Sequence, residues 1–164
     1  MPPTFVSVRV GPFESSGWLQ AARYNESMAG ATILVVDDDR AVLRLLEHTL
    51  RAAGYGVLAA ESGWGALDAF DHSVEPVDLL LTDVIMPDLT GPVVAERLCS
   101  KQPDLPVLFI SGFHDADLVQ HFVTRRRFTL LPKPFTAESL LRAVEESLSA
   151  VEGKLRSGQS RVVY

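Results

Sequence analysis

Five times between Thr32 and Ala150, a short apolar run ends and a stretch with apolar residues at helical spacing begins. The runs cover 32–37, 55–60, 79–83, 105–111 and 128–131, and the helical stretches 41–53, 63–72, 92–101, 115–124 and 136–150. The punctuation agrees with the periodicity. Gly54 stands where the first helix must stop, Pro92 occupies a tolerated first-turn position, and Thr136 is placed to cap the last helix. Strands that alternate with helices pair in parallel, because each connection has to cross back over the sheet before the next strand begins. The expected fold is therefore α/β: a doubly wound, five-stranded parallel sheet with helices on both faces.

The third run constrains most. Leu79-Leu80-Leu81-Thr82-Asp83 is apolar at successive positions, the habit of a strand buried on both faces, and Met86-Pro87 ends regular structure soon after it. One carboxylate, Asp83, is thus held at a strand's carboxyl end, where open α/β sheets gather their ligands. Other strands end comparably: Asp37 and Asp38 close the first, Ser111 closes the fourth, and Lys133 follows the fifth. Carboxylates gathered at one sheet edge repel each other unless a cation joins them. Mg²⁺ suits such a site, since it takes oxygen ligands and commonly works with one or two carboxylates and a phosphate. Lys133 adds a point charge for an aspartate or a phosphoryl oxygen, and Ser111 a small hydroxyl donor. A nucleophile, a metal and fixed cations are what phosphoryl transfer requires.

Composition narrows the remaining classes. The chain has 164 residues, enough for one substantial core and flanks, and its 47% apolar and 22% charged residues are ordinary for a globular protein. A net charge of −6 argues against a nucleic-acid surface, which needs clustered Lys and Arg. Arg125-Arg126-Arg127 lacks basic neighbours and reads as a solvated loop. No apolar run approaches the roughly 18–20 residues that span a bilayer. With a first thirty residues unlike a secretory signal and a single cysteine, Cys99, the expectation is a cytoplasmic protein without membrane attachment. His48, His72, His114 and His121 lack metal-ligand spacing and read as surface residues. Three segments are expected: an N-terminal extension over 1–30, poorly ordered or a start-site artefact given Met28; the core over 31–151; and a polar tail over 152–164.

Val35-Val36-Asp37-Asp38-Asp39, Asp83-Val84-Ile85-Met86-Pro87-Asp88-Leu89-Thr90-Gly91, Ser111-Gly112 and Lys133-Pro134-Phe135 together resemble the signature blocks of the response-regulator receiver family, the CheY-like domains of two-component signalling. The resemblance extends over about 32–151, and in detail is similar to receivers attached to hybrid sensor histidine kinases. It implies a flavodoxin-like fold and a signalling phosphoacceptor instead of an enzyme. Asp83 would take a phosphoryl group from the phosphohistidine of a histidine kinase or phosphotransfer protein. Asp38 would bind Mg²⁺ directly, Asp37 through water or by orientation, and the Ile85 backbone carbonyl would be a further ligand. Ser111 would be the switch hydroxyl, and Lys133 would pair with the phosphoryl group, its bond to Pro134 being cis.

Because no output domain follows the core in this sequence, the signal is expected to leave through a protein partner or a second copy of the chain. Two departures shape expectations. The residue three places before the lysine is Leu130, where many receivers carry an aromatic; Phe128, two residues earlier on the same strand face by alternation, is not counted on to replace it. The segment from Gly112 to Phe128 is then the candidate switch. Ile85 and Phe113 hold positions said to tune acyl-phosphate hydrolysis, and neither orients a water, so slow self-dephosphorylation is expected. Two other classes compete. A haloacid-dehalogenase-type, aspartate-nucleophile phosphatase uses similar groups, but there the nucleophile precedes the acidic metal pair, whereas here the acids lead. A receiver-shaped scaffold that takes no phosphate conflicts with the intact Asp37, Asp38, Asp83, Ser111 and Lys133.

Overall fold

In a computed structural model, residues 30–112 and 128–158 are described. They form strands β1 (Thr32–Val36), β2 (Gly56–Ala60), β3 (Leu79–Asp83), β4 (Val107–Ser111) and β5 (Phe128–Pro132). The helices are α1 (Arg40–Ala52), α2 (Gly63–His72), α3 (Gly91–Lys101) and α4 (Ala137–Gly158). All strand pairs are parallel, in the order β2-β1-β3-β4-β5. The helix expected over 115–124, Phe113 and the arginines at 125–127 lie outside the described residues, as does nearly all of the expected N-terminal extension.

Alternation along the strands divides the core in two. Ile33, Val35, Leu79, Leu81, Leu108, Ile110 and Leu131 face α1 and α4, meeting Leu43, Leu46, Leu50, Leu140, Val144 and Leu148. Leu34, Val36, Leu80, Val107 and Phe109 face α2 and α3, meeting Ala66, Val94, Ala95, Leu98 and Cys99. A strand with both neighbours paired and both faces covered has no solvated side, which is why β3 reads as a continuous apolar run. Burying each such leucine contributes about 1.5–3 kcal/mol.

The helix ends follow local chemistry. Asp39 caps α1, its carboxylate accepting from the N–H groups of Ala41 and Val42. At the other end Gly54, at φ 93°, donates to the Arg51 carbonyl, and Tyr55 donates to that of Leu50. This double closure holds Tyr55 at the helix, so β2 begins at Gly56 and not at 55 as periodicity suggested. Leu105 is likewise held in a turn by the Gln102 carbonyl, delaying β4 to Val107. Thr136 caps α4 by accepting from the Ser139 N–H at 3.1 Å. That helix continues past the expected end at Ala150 to Gly158. No proline interrupts it, and a single interior glycine, Gly153, costs only about 1 kcal/mol. Among the described residues no helix is long and apolar enough to cross a membrane.

Candidate functional site

The register brings the strand ends together. Asp83 is the Cα partner of Ile110, Ser111 that of Pro132, and Val36, just before Asp37, that of Thr82. Asp37, Asp38 and Asp83 therefore converge from β1 and β3, each offering a carboxylate oxygen within 4.8 Å of the others. The third acid of the run, Asp39, is turned away into the cap of α1. Three identical residues in a row thus divide between site and scaffold.

Each carboxylate has its own surroundings. Asp37 is 1% exposed; its Oδ1 accepts from the Asp39 N–H at 2.9 Å, while Oδ2 is buried with no hydrogen-bond partner among the described residues. Burial pushes the Asp37 carboxyl above the usual carboxylate range, with repulsion from Asp83 and Asp38 adding to it. The Asp39 N–H and Lys133 only partly offset this. Asp83 accepts from Lys133 Nζ at 2.6 Å on Oδ2 and from the Ile85 N–H at 3.3 Å on Oδ1. Lys133 Nζ also stands 3.8 Å from Asp37 Oδ2. Burial alone would lower the Lys133 pKa. The hydrogen bond and charge of Asp83, followed by the charges of Asp37 and Asp38, outweigh it and hold the amine above its ordinary value.

The acids suit a hard divalent cation. Among the described residues one lysine faces the three carboxylates, and one of their oxygens is buried with no hydrogen-bond partner; a cation would supply the missing neutralisation with the oxygen ligands it prefers. The remaining expected residues fall as follows. Ser111 is 4% exposed at the end of β4, and its carbonyl accepts from the Lys133 N–H at 2.8 Å, so the β5 loop is fastened to β4 beside the acids. The Lys133–Pro134 peptide is cis. Ile85 lies in the loop after β3 with its side chain 53% exposed. Leu130 is 43% exposed, while Phe128 is packed edge-on against Phe109 with ring centroids 5.2 Å apart. Phe128 pairs with Val107 at the start of β5, two residues, or roughly 6.6 Å, farther from the site than Leu130.

Sequence reasoning missed the residues that hold the loop after β3. A Cβ added at Gly91 would come within 2.1 Å of the Asp83 carbonyl oxygen, so only glycine allows α3 to start this close to the acid. The Gly91 N–H donates to the Val84 carbonyl at 2.9 Å. Asp88 accepts from the N–H groups of Gly63 at 3.1 Å and Trp64 at 2.9 Å, tying the loop to the first turn of α2. Trp64, in that first turn, is 57% exposed, with the Arg97 guanidinium 4.7 Å above its ring.

Known proteins share both the pattern and the fold. The family model of the response regulator receiver domain matches residues 33–145. The chain is 36% identical over 118 residues to the response regulator receiver protein CpdR of Brucella abortus (strain 2308), a match covering 72% of this chain and 97% of that protein. It is 34% identical over 118 residues to the sensor kinase CckA of the same organism, covering 72% of this chain but only 12% of CckA. A crystal structure of a response regulator receiver domain protein from Clostridium thermocellum superposes with a TM-score of 0.70 at 30% identity, covering 76% of this chain and 98% of that one. With strands, acidic cluster and lysine in the matched span, the chain belongs to the response regulator receiver family.

Proposed function

We propose that Asp83 is the phosphoacceptor of this receiver, taking its phosphoryl group from the phosphohistidine of a histidine kinase or a phosphotransfer protein. The observation that carries this reading is the Asp83 carboxylate itself: at the end of a fully buried strand, 2.6 Å from Lys133 Nζ and grouped with Asp37 and Asp38. An Asp83 carboxylate oxygen attacks phosphorus, the P–O bond forms as the P–N bond breaks, and the departing imidazole keeps the electron pair and takes up a proton. Asp37, Asp38 and Asp83, with the backbone carbonyl of Ile85, are the groups that would hold Mg²⁺. Bound there, Mg²⁺ would offset charge on the carboxylates and phosphoryl oxygens. Lys133 pairs with Asp83 before transfer and with a phosphoryl oxygen afterwards, and Ser111 donates its hydroxyl to another.

The protein then acts as a switch and not as a turnover enzyme, with its altered surface read by a protein partner in the cytoplasm. The near-complete coverage of CpdR, itself called a receiver protein, supports a receiver working in this way. The order of the acidic residues disfavours the phosphatase alternative. Incubation with Mg²⁺ and a small acyl phosphate, followed by intact mass, tests the proposal. One added phosphoryl group is expected, absent in Asp83→Asn; an adduct that survives that substitution, or none with any donor or kinase, overturns it.

A further inference from the structure

We infer that Asp88 is a positioning residue of this site: it clamps the loop after Asp83 to the first turn of α2, and Trp64, on that same turn, registers the state of the acidic cluster. The inference rests on the reading of Asp83, Asp38 and Asp37 as a metal and phosphoryl site.

Three contacts carry it. On the site side, the loop is fastened to Asp83 twice, by the Ile85 N–H to Oδ1 at 3.3 Å and by Gly91, whose missing side chain lets the Asp83 carbonyl approach. On the α2 side, both oxygens of the exposed Asp88 carboxylate are engaged by the turn, one by the Gly63 N–H and the other by the Trp64 N–H. Between these, Leu89 packs so closely on Gly63 that an added Cβ there would lie 2.6 Å from the Leu89 Cβ. Five residues after Asp83, the loop thus has no slack: a change at Oδ1 that draws on the Ile85 peptide is passed to the α2 turn through Asp88 and Leu89.

Trp64 is well placed to register it. Its backbone N–H is one of the two donors to Asp88, while its indole lies exposed under the Arg97 guanidinium of α3 at 4.7 Å. Movement of the α2 turn relative to α3 alters that stacking, which an exposed indole reports in its emission. This path leads to the α2–α3 face, away from Leu130 and β5.

The test uses the full chain carrying Trp18→Phe, so that Trp64 is the only tryptophan. Mg²⁺ and Mn²⁺ affinities are measured by calorimetry, Trp64 emission is followed through the same titrations and after an acyl phosphate is added, and intact mass reports phosphorylation. The expected results are a saturable change in emission in the parent and, in Asp88→Ala, about a tenfold loss of metal affinity, the usual scale for a residue that orients ligands from behind. The emission response should fall below half. Asp88→Asn, which keeps one acceptor oxygen, should lie between the two, and it decides the matter if Asp88→Ala fails to fold by circular dichroism. The inference is overturned if the parent binds metal with no change in emission, or if the Asp88 variants melt earlier yet bind metal and respond as the parent does. Failure of the underlying reading looks different: the parent itself binds no metal and gains no phosphoryl group, and the inference falls with it.

Discussion

Strands β3 and β5 each deliver one member of the Asp83–Lys133 pair, yet they are built differently. Every residue of β3 is buried, and the strand is paired on both sides, by β1 and β4. Among the described residues β5 pairs only with β4; Leu131 and no other residue of the strand is buried, and Leu130 is 43% exposed. The two side chains tolerate this difference for a physical reason. Aspartate is short, so its carboxylate is only as well placed as its backbone. Lysine is a point charge on a flexible four-carbon stem, and can reach a fixed carboxylate from a strand with more freedom. Precision sits in the centre of the sheet and adaptability at its edge.

The contrast can be broken by substitution. Leu81→Ala, in the middle of β3, should cost about 3–5 kcal/mol in chemical denaturation, because it leaves a cavity in a fully enclosed site. A loss below about 1 kcal/mol would mean that β3 is not the rigid member. Asp37→Asn should act in two opposite ways. Without metal it removes a buried carboxylate whose Oδ2 has no hydrogen-bond partner while preserving the Oδ1 acceptor for Asp39, so stability should rise by about 1 kcal/mol. In a Mg²⁺ titration of the melting temperature the variant should lose most of the stabilisation that the parent gains.

A smaller effect concerns the loop leaving β3. Burial would raise the Asp88 pKa, but the N–H groups of Trp64, Leu89 and Gly63 overcome this and lower it. A depressed carboxylate stabilises the fold above its unfolded value, 3.8, and that contribution is lost as pH falls through the lower folded value. Asp88→Asn should therefore flatten the stability profile below about pH 4 and leave its shape at neutral pH unchanged. A parallel acid limb in the two proteins would remove the clamp from consideration. The smallest change is expected at the edge strand: Leu130→Ala should alter stability by no more than about 0.5 kcal/mol in the same denaturation assay, as exposed positions usually do. A loss as large as that at Leu81 would erase the distinction between the strands.

What could be read in advance was whatever depends on neighbours in sequence. The buried run 79–83 and the breaker that follows it mark both a central strand and the acid at its end, and the same logic locates Asp37, Ser111 and Lys133. Position along the chain did not separate Asp39 from Asp37 and Asp38. The three have the same chemistry, and only the direction of the backbone at the start of α1 makes one a cap. Nor could it find Asp88, whose partners lie 24 and 25 residues earlier and meet it only once α2 and the loop pack. The apolar character of Trp64 is equally uninformative about its place, since at the first turn of α2 its indole is exposed and covered on one side by an arginine. The family blocks point to the candidate site; they do not show how its loop is held.

Gly91 bears on how variant screens of this protein should be interpreted. Its neighbour in space is the Asp83 main-chain carbonyl and not the Asp83 carboxylate, so a side chain introduced there forces the two backbones apart without altering the chemistry of the acid. In a survey scored only by signalling output, Gly91 and Asp83 would be equally intolerant and would be grouped as equally chemical. Separating them takes a second score, protein abundance or folding, under which Asp83→Asn should pass and Gly91→Ala should not.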